Sequence, residues 1–234
     1  MVGGGYTASS YHAVQWQGGS ISDLGSLSAG SSQATAINAL GAVVVNHFGA
    51  AITASTWQNG AHRALGALPG GLGTQANGIN ASGQVVGSGS NAAFELRAVI
   101  WNNGIASSLG ILGSRTDETA SSAATAINDG GQAVGNASSS LGQSAFIWSS
   151  ATGMVDVHTL LASGSGVRVS GAAAINDNGQ IAGRAVIAGN IHAVLLNPAA
   201  RWPGRARAPP TARAALPMAA TGSWAFGPAR WWTC

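Results

Sequence analysis

Five histidines, seven carboxylates and one cysteine are the residues of this chain that could carry acid–base, metal or nucleophilic chemistry. The histidines are His12, His47, His62, His158 and His192, and no two lie within five residues of each other. The short spacing by which one strand or turn supplies two metal ligands is therefore missing. Asn128-Asp129-Gly130 and Asp177-Asn178-Gly179 have the composition of calcium loops but lack the alternating ligand spacing and the closing bidentate Glu, so turn chemistry is expected there. Asp117-Glu118 is the one adjacent acid pair and sits in a longer loop, Ser114 to Ser122. Such a pair could hold a cation or, with Glu95, serve a glycan hydrolase or lyase; a solvated loop is the plainer expectation. Gly70-Gly71-Leu72-Gly73 has neither the Lys nor the helix start that cradles phosphate. Gly164-Ser165-Gly166 reads as a loop, not as the strand-to-helix elbow of a serine nucleophile. Cys234 ends the chain and has no partner for a disulfide within it. No catalytic, cofactor-binding or metal residue is assigned, no cofactor is expected, and binding residues stay open.

The elements that would position any such group come from an internal repeat. Ile37-Asn38, Ile79-Asn80, Ile127-Asn128 and Ile175-Asn176 each begin Ile-Asn-x-x-Gly, with Gly41, Gly83, Gly131 and Gly179 closing the phrase. A second phrase follows: Tyr11 to Trp16, Ala54 to Trp57 in degenerate form, Arg97 to Trp101, Ser144 to Trp148 and His192 to Leu196. His12 and His192 share one position in it, which favours a strand-edge role. A third phrase runs from Gly19 to Leu27, Gly60 to Leu68, Gly104 to Leu112 and Gly153 to Leu161. Repetition in fixed order at intervals of 40 to 50 residues marks a repeat architecture.

Asn at the first and Gly at the fourth place of a four-residue turn predicts a tight hairpin, since the Asn side chain bonds the backbone ahead and Gly accepts positive φ. The flanks, such as Gln84-Val85-Val86-Gly87, read as buried strands. The Trp phrase is a third strand with its indole as a core plug, and Gln58-Asn59-Gly60 or Asn102-Asn103-Gly104 turns into a fourth. No window shows sustained helical periodicity. The fold class predicted is all-β, built of four-stranded antiparallel units in a β-propeller-like array, with a β-solenoid as the alternative. The units expected are 1–34, 35–76, 77–123, 124–172 and 173–198, with strands three, four, four, four and three in number.

Composition agrees. Only 7% of residues are charged and 35 are Gly, as suits closely packed small-residue sheets with amide- and hydroxyl-rich loops. Residues 1–200 carry five Arg against seven acids, whereas residues 201–234 carry five Arg and no acid, so the net +3 belongs to the tail. A nucleic-acid partner would need a basic stripe on the folded face, and none is expected. No apolar run is long enough for a membrane span. Met1 to Gly5 has neither charged nor apolar signal regions. Met1 to Gly5 matches the second strand of a unit and the fourth phrase is missing after Leu196, so a fragment of a longer repeat protein is expected. Residues 199–234, with five of the seven prolines and four of the eight tryptophans, read either as a disordered basic tail or as the product of a shifted reading frame.

The phrases Ala-Ile-Asn-x-x-Gly-Gln-Val-Val-Gly, His-Ala-Phe/Val-x-Trp and Asp-Leu-Gly-x-Leu resemble the HAF-repeat family, bacterial proteins described as extracellular repeat proteins. The resemblance spans residues 2–197. It departs at Ala54 to Trp57, which lacks His-Ala-Phe, and the third phrase is intact only at Asp23-Leu24-Gly25. It implies an extracellular or cell-surface location and no particular reaction. The functional expectation is a non-enzymatic repeat module that binds carbohydrate or another surface component, with a propeller-type glycan hydrolase or lyase as alternative and a nonfunctional fragment as a third reading.

Overall fold

The computed structural model describes residues 1–6, 10–27, 30–112, 120–140, 142–162, 164–198 and 232–233. Asp117, Glu118 and nearly all of the 199–234 tail lie outside them. The described residues form five antiparallel sheets. The first holds β1 (Val2–Tyr6), β2 (Tyr11–Gln17) and β3 (Ser20–Gly25). The second holds β4 (Ser31–Ile37), β5 (Val43–Phe48), β6 (Ile52–Gln58) and β7 (Ala61–Ala64). The third holds β8 (Thr74–Ile79), β9 (Val85–Ser90), β10 (Leu96–Asn102) and β11 (Ile105–Gly110). The fourth holds β12 (Ser122–Ile127), β13 (Ala133–Ser139), β14 (Gly142–Ser149) and β15 (Gly153–Asp156). The fifth holds β16 (Val167–Ile175), β17 (Ile181–Ile187), β18 (Asn190–Pro198) and a two-residue β19 (Trp232–Thr233). β19 is a departure from expectation, since it adds a short fourth strand from the tail, with Thr233 opposite Asn197.

Local chemistry explains the hairpins. In all four Ile-Asn-x-x-Gly turns the Gly amide donates to the Asn carbonyl, at 2.9–3.1 Å. The glycines sit at φ +74 to +80°, where a side chain would be strained. The Asn Oδ1 accepts the amide four residues on at 2.9–3.0 Å. Between third and fourth strands, Asn59-Gly60 and Asn103-Gly104 have positive φ at both residues, the type I′ geometry that matches strand twist. The degenerate phrase at Ala54 still forms β6, because its alternation survives even though His-Ala-Phe does not. After β15 the chain leaves the strand for a 3-10 turn, Val157–Leu160, whose first amide is capped by Asp156 Oδ1 at 2.9 Å.

Sheets stack in chain order, each covering the next with four small cores. Val134, Ala145 and Ile147 of the fourth sheet meet Ile181, Ala185 and Leu196 of the fifth. Val86, Ala98 and Ile100 of the third meet Ala133, Ala137 and Phe146 of the fourth. Val44 and Ala54 meet Val85, Val99 and Trp101, and Ala13 meets Val43 and Val45. Of the repeat tryptophans only Trp101 is a fully buried plug; Trp16, Trp57 and Trp148 are half-buried at the sheet ends, a correction to the expected role.

The sheets are also tied by side chains aimed across the gap. Asn38 Nδ2 donates to the Asn80 carbonyl at 3.0 Å, Asn80 Nδ2 to the Asn128 carbonyl at 3.1 Å, and Asn128 Nδ2 to the Asn176 carbonyl at 3.0 Å. One motif residue thus caps its own turn and reaches the same turn in the next sheet. The strands β4, β8 and β12 also have a bulge, after Ala34, Ala76 and Ala124, and the bulged side chain is swung off the pleat. Thr35 Oγ1 donates to Ala76 O at 3.0 Å, Asn77 Nδ2 to Ala124 O at 2.8 Å, and Thr125 Oγ1 to Ala172 O at 3.0 Å.

Candidate functional site

Three places gather polar groups that sequence spacing keeps apart. The first joins the first and second sheets. Leu27 N–H donates to His47 Nδ1 at 3.2 Å, so the proton of that neutral ring lies on Nε2, which meets Ser55 Oγ at 2.7 Å. The Ser55 hydroxyl then donates to His62 Nδ1 at 2.9 Å, and His62 Nε2–H to the Leu24 carbonyl at 2.7 Å. The two ring centroids stand 5.2 Å apart, edge to face. Burial, with His62 nearby, pushes His47 down to about 4, since desolvation penalises its charged form. Ser55 is wholly buried, so it is no nucleophile for a substrate; the chain of bonds is a clamp between sheets.

The second place is the outer end of the first sheet. Ser10 Oγ lies 2.7 Å from His12 Nε2, and His12 Nδ1 lies 2.8 Å from Asp23 Oδ2. The order is that of a hydrolase triad, but the repeats give each position a structural job. Asp23 Oδ1 accepts the Gly25 amide at 2.8 Å, as Ser108 accepts Gly110 and Asp156 accepts His158. In the third sheet the places of Ser10 and His12 are taken by Glu95 and Arg97, which pair with each other. The position ties the end of a third strand to its neighbours. The His12 bond holds Asp23 below the usual carboxylate range; bonding from Asn91, with Arg97 adding, does the same for Glu95. His192, at the His12 position of the fifth sheet, is exposed.

The third place is a cleft of about 330 Å3 between the second and third sheets, at the end where the Asn-x-x-Gly turns lie. Thr56, Gln58 and Arg63 face Ser82 and Asn103 across it, above buried Leu65 and Trp101. Arg63 Nη2 donates to Asn103 O at 2.7 Å and Gln58 Nε2 to Leu40 O at 3.1 Å. Trp101 Nε1 is spent on Gly66 O at 2.7 Å. The lining combines hydroxyls, amides, one guanidinium and the His62 imidazole with apolar Ala42, Ala61 and Ile79, a set that can hydrogen-bond neutral polyols or a single anion.

Of the residues singled out from sequence, Asp129 and Asp177 are turn residues as expected. Asp129 Oδ1 accepts Ala81 N at 2.7 Å and Asp177 Oδ1 accepts Asp129 N at 2.8 Å, each across a sheet gap. Asp117 and Glu118 lie outside the described residues, and Glu95 is engaged by Arg97 and Asn91. Among the described residues no group of three or more His, Cys, Asp or Glu is placed to hold a metal. Among the described residues no helix is long and apolar enough to cross a membrane. The His47–Ser55–His62 grouping carries no local sequence signal, because its partners come from four strands and one loop. No protein-family model and no curated protein matches the chain.

Proposed function

We propose that this chain is a non-enzymatic, propeller-like repeat module of the HAF type, working outside the cell or on its surface, and that it binds carbohydrate in the cleft between its second and third sheets. One observation carries the reading: Thr56, Gln58, Ser82, Asn103 and Arg63 converge on a cleft of about 330 Å3, in which the imidazole of His62 is already bonded to Ser55 and the Leu24 carbonyl. Carbohydrate hydroxyls are met by such amide, hydroxyl and guanidinium sets, with orientation fixed by a few polar groups in a preformed pocket. Support for the propeller reading comes from β4, β8, β12 and β16, which adjoin one another along one side of the stack as inner blade strands would. Support for a binding role comes from the way the motif Asn, Asp and Ser/Thr side chains are consumed in tying sheets together.

The test is a glycan array probed with the full chain, followed by calorimetry on any hit with the wild type and with Arg63→Ala and Gln58→Ala. Binding weakened at least tenfold by either substitution, at an unchanged melting temperature, is the expected result. Retention no better than that of an unrelated protein, or a hit indifferent to both substitutions, refutes the assignment.

A further inference from the structure

The stack repeats a single interface, and its two outer faces are the two halves of that interface. In each of the first four sheets, one face carries an Ala of the third strand that the next sheet covers: Ala13, Ala54, Ala98 and Ala145 are 0–1% exposed. Their equivalent in the fifth sheet, Ala193, is exposed. Leu195 is 48% exposed, while its equivalents Ile100 and Ile147 are 3% and 1% exposed. Ala182 is exposed where Val44, Val86 and Val134 are fully buried. Asn176 belongs to the same edge. Its amide bonds Gln180 Oε1 at 2.7 Å, and it makes no counterpart of the bond that Asn38, Asn80 and Asn128 each send to a following carbonyl.

The complementary half faces outward on the first sheet. In the second, third and fourth sheets the Trp of the third strand, Trp57, Trp101 or Trp148, packs towards the preceding sheet. Trp16 holds that position in the first sheet, over Gly3, on the face that no other described sheet covers. Arg184 pairs with Ala193 in the ladder and is exposed.

We infer that the fifth-sheet face of one copy docks on the first-sheet face of a second copy, continuing the sheet stack from molecule to molecule. The occupant is argued from continuity: Ala193 stands where four covered faces have Ala, Ala182 where three have Val, Leu195 where the third and fourth sheets have buried Ile, and Trp16 where three sheets turn a Trp to the preceding one. The two faces differ, so the contact is heterologous and builds open chains or closed rings and not a two-fold dimer.

Sedimentation velocity of the full chain over a dilution series tests this. Expected is a concentration-dependent series of species larger than the monomer, reduced to monomer by Leu195→Glu, whose side chain is exposed and whose replacement leaves the melting temperature unchanged. Ala193→Glu, also at an exposed position of that face, is a second variant should the first fail to fold, and it should weaken association in the same direction. Adding Leu195→Glu chain to wild type should shorten the assemblies, because the variant keeps an intact first-sheet face and caps growing ends. Wild type that stays monomeric at every concentration, as when another part of the same chain covers the face, overturns the inference. So does a dimer that grows no further and ignores added Leu195→Glu. Neither outcome bears on the cleft, whose glycan binding is read separately on the monomeric variant.

Discussion

Acid should loosen the first sheet from the second, through the histidine clamp. His47 is 1% exposed and accepts the Leu27 amide at Nδ1, so protonation there sets two N–H groups against each other. Its titration falls from the ordinary 6.5 to about 4. The unfolded chain therefore binds a proton between these values that the folded chain refuses, and stability falls as pH drops through that window. At about 1.4 kcal/mol per pH unit the full window would be worth about 3 kcal/mol, and relaxation of the surrounding groups around the charged ring reduces this to about 2 kcal/mol. With a urea dependence of about 2 kcal/mol per molar, the unfolding midpoint should fall by about 1 M between about pH 7.5 and about pH 4.5. Asp23 and Glu95 are both held below their ordinary values, so their contributions persist above those values and are lost only in stronger acid. Urea titrations followed by tryptophan fluorescence, repeated on His47→Leu, isolate the effect: the variant should be weaker at neutral pH and should lose most of the pH dependence. An NMR titration in which the His47 ring protonates near 6.5, or a midpoint that is flat between the two pH values, would refute the reasoning.

Asn128→Ala removes the turn cap and the bond to the Asn176 carbonyl together, and should cost about 2–3 kcal/mol by thermal or urea unfolding. Asn176→Ala, which has a cap but no onward bond, should cost about 1 kcal/mol less, and equal costs would show that the onward bond contributes nothing. A Cβ on Gly135 would run into the Ala123 carbonyl and the Phe146 ring, so Gly135→Ala should lose about 2–3 kcal/mol or fail to fold. Ala188 sits at φ +49° in a type I′ turn before Gly189, so Ala188→Asn should stabilise by about 0.5–1 kcal/mol, read as a higher melting temperature.

Much of the secondary structure was legible because its causes are local. The Ile-Asn-x-x-Gly phrase predicts a hairpin from the side-chain reach of Asn and the tolerance of Gly, and Asn38, Asn80, Asn128 and Asn176 all make that turn. Asn59-Gly60 and Asn103-Gly104 likewise make the turns their types require. The 3-10 turn at Val157–Leu160 was less legible, since Asp156 has the same role in the Gly153 to Leu161 phrase as in any capped turn. The expected helix-poor, repetitive all-β chain follows from the same short-range rules.

Strands β1 to β18, their turns and their order follow from local rules, since a period of two and the φ preferences of Asn and Gly act over a few residues; β19 does not. Which polar groups meet depends on how the sheets stack. His47, Ser55 and His62 become neighbours of Leu24 and Leu27 because the second sheet stacks on the first at one offset and twist. The cleft of Thr56, Gln58, Arg63, Ser82 and Asn103 exists for the same reason between the next pair. Sheet-to-sheet offset is the sum of many weak packing contacts spread over whole faces, and no short stretch of sequence encodes that sum.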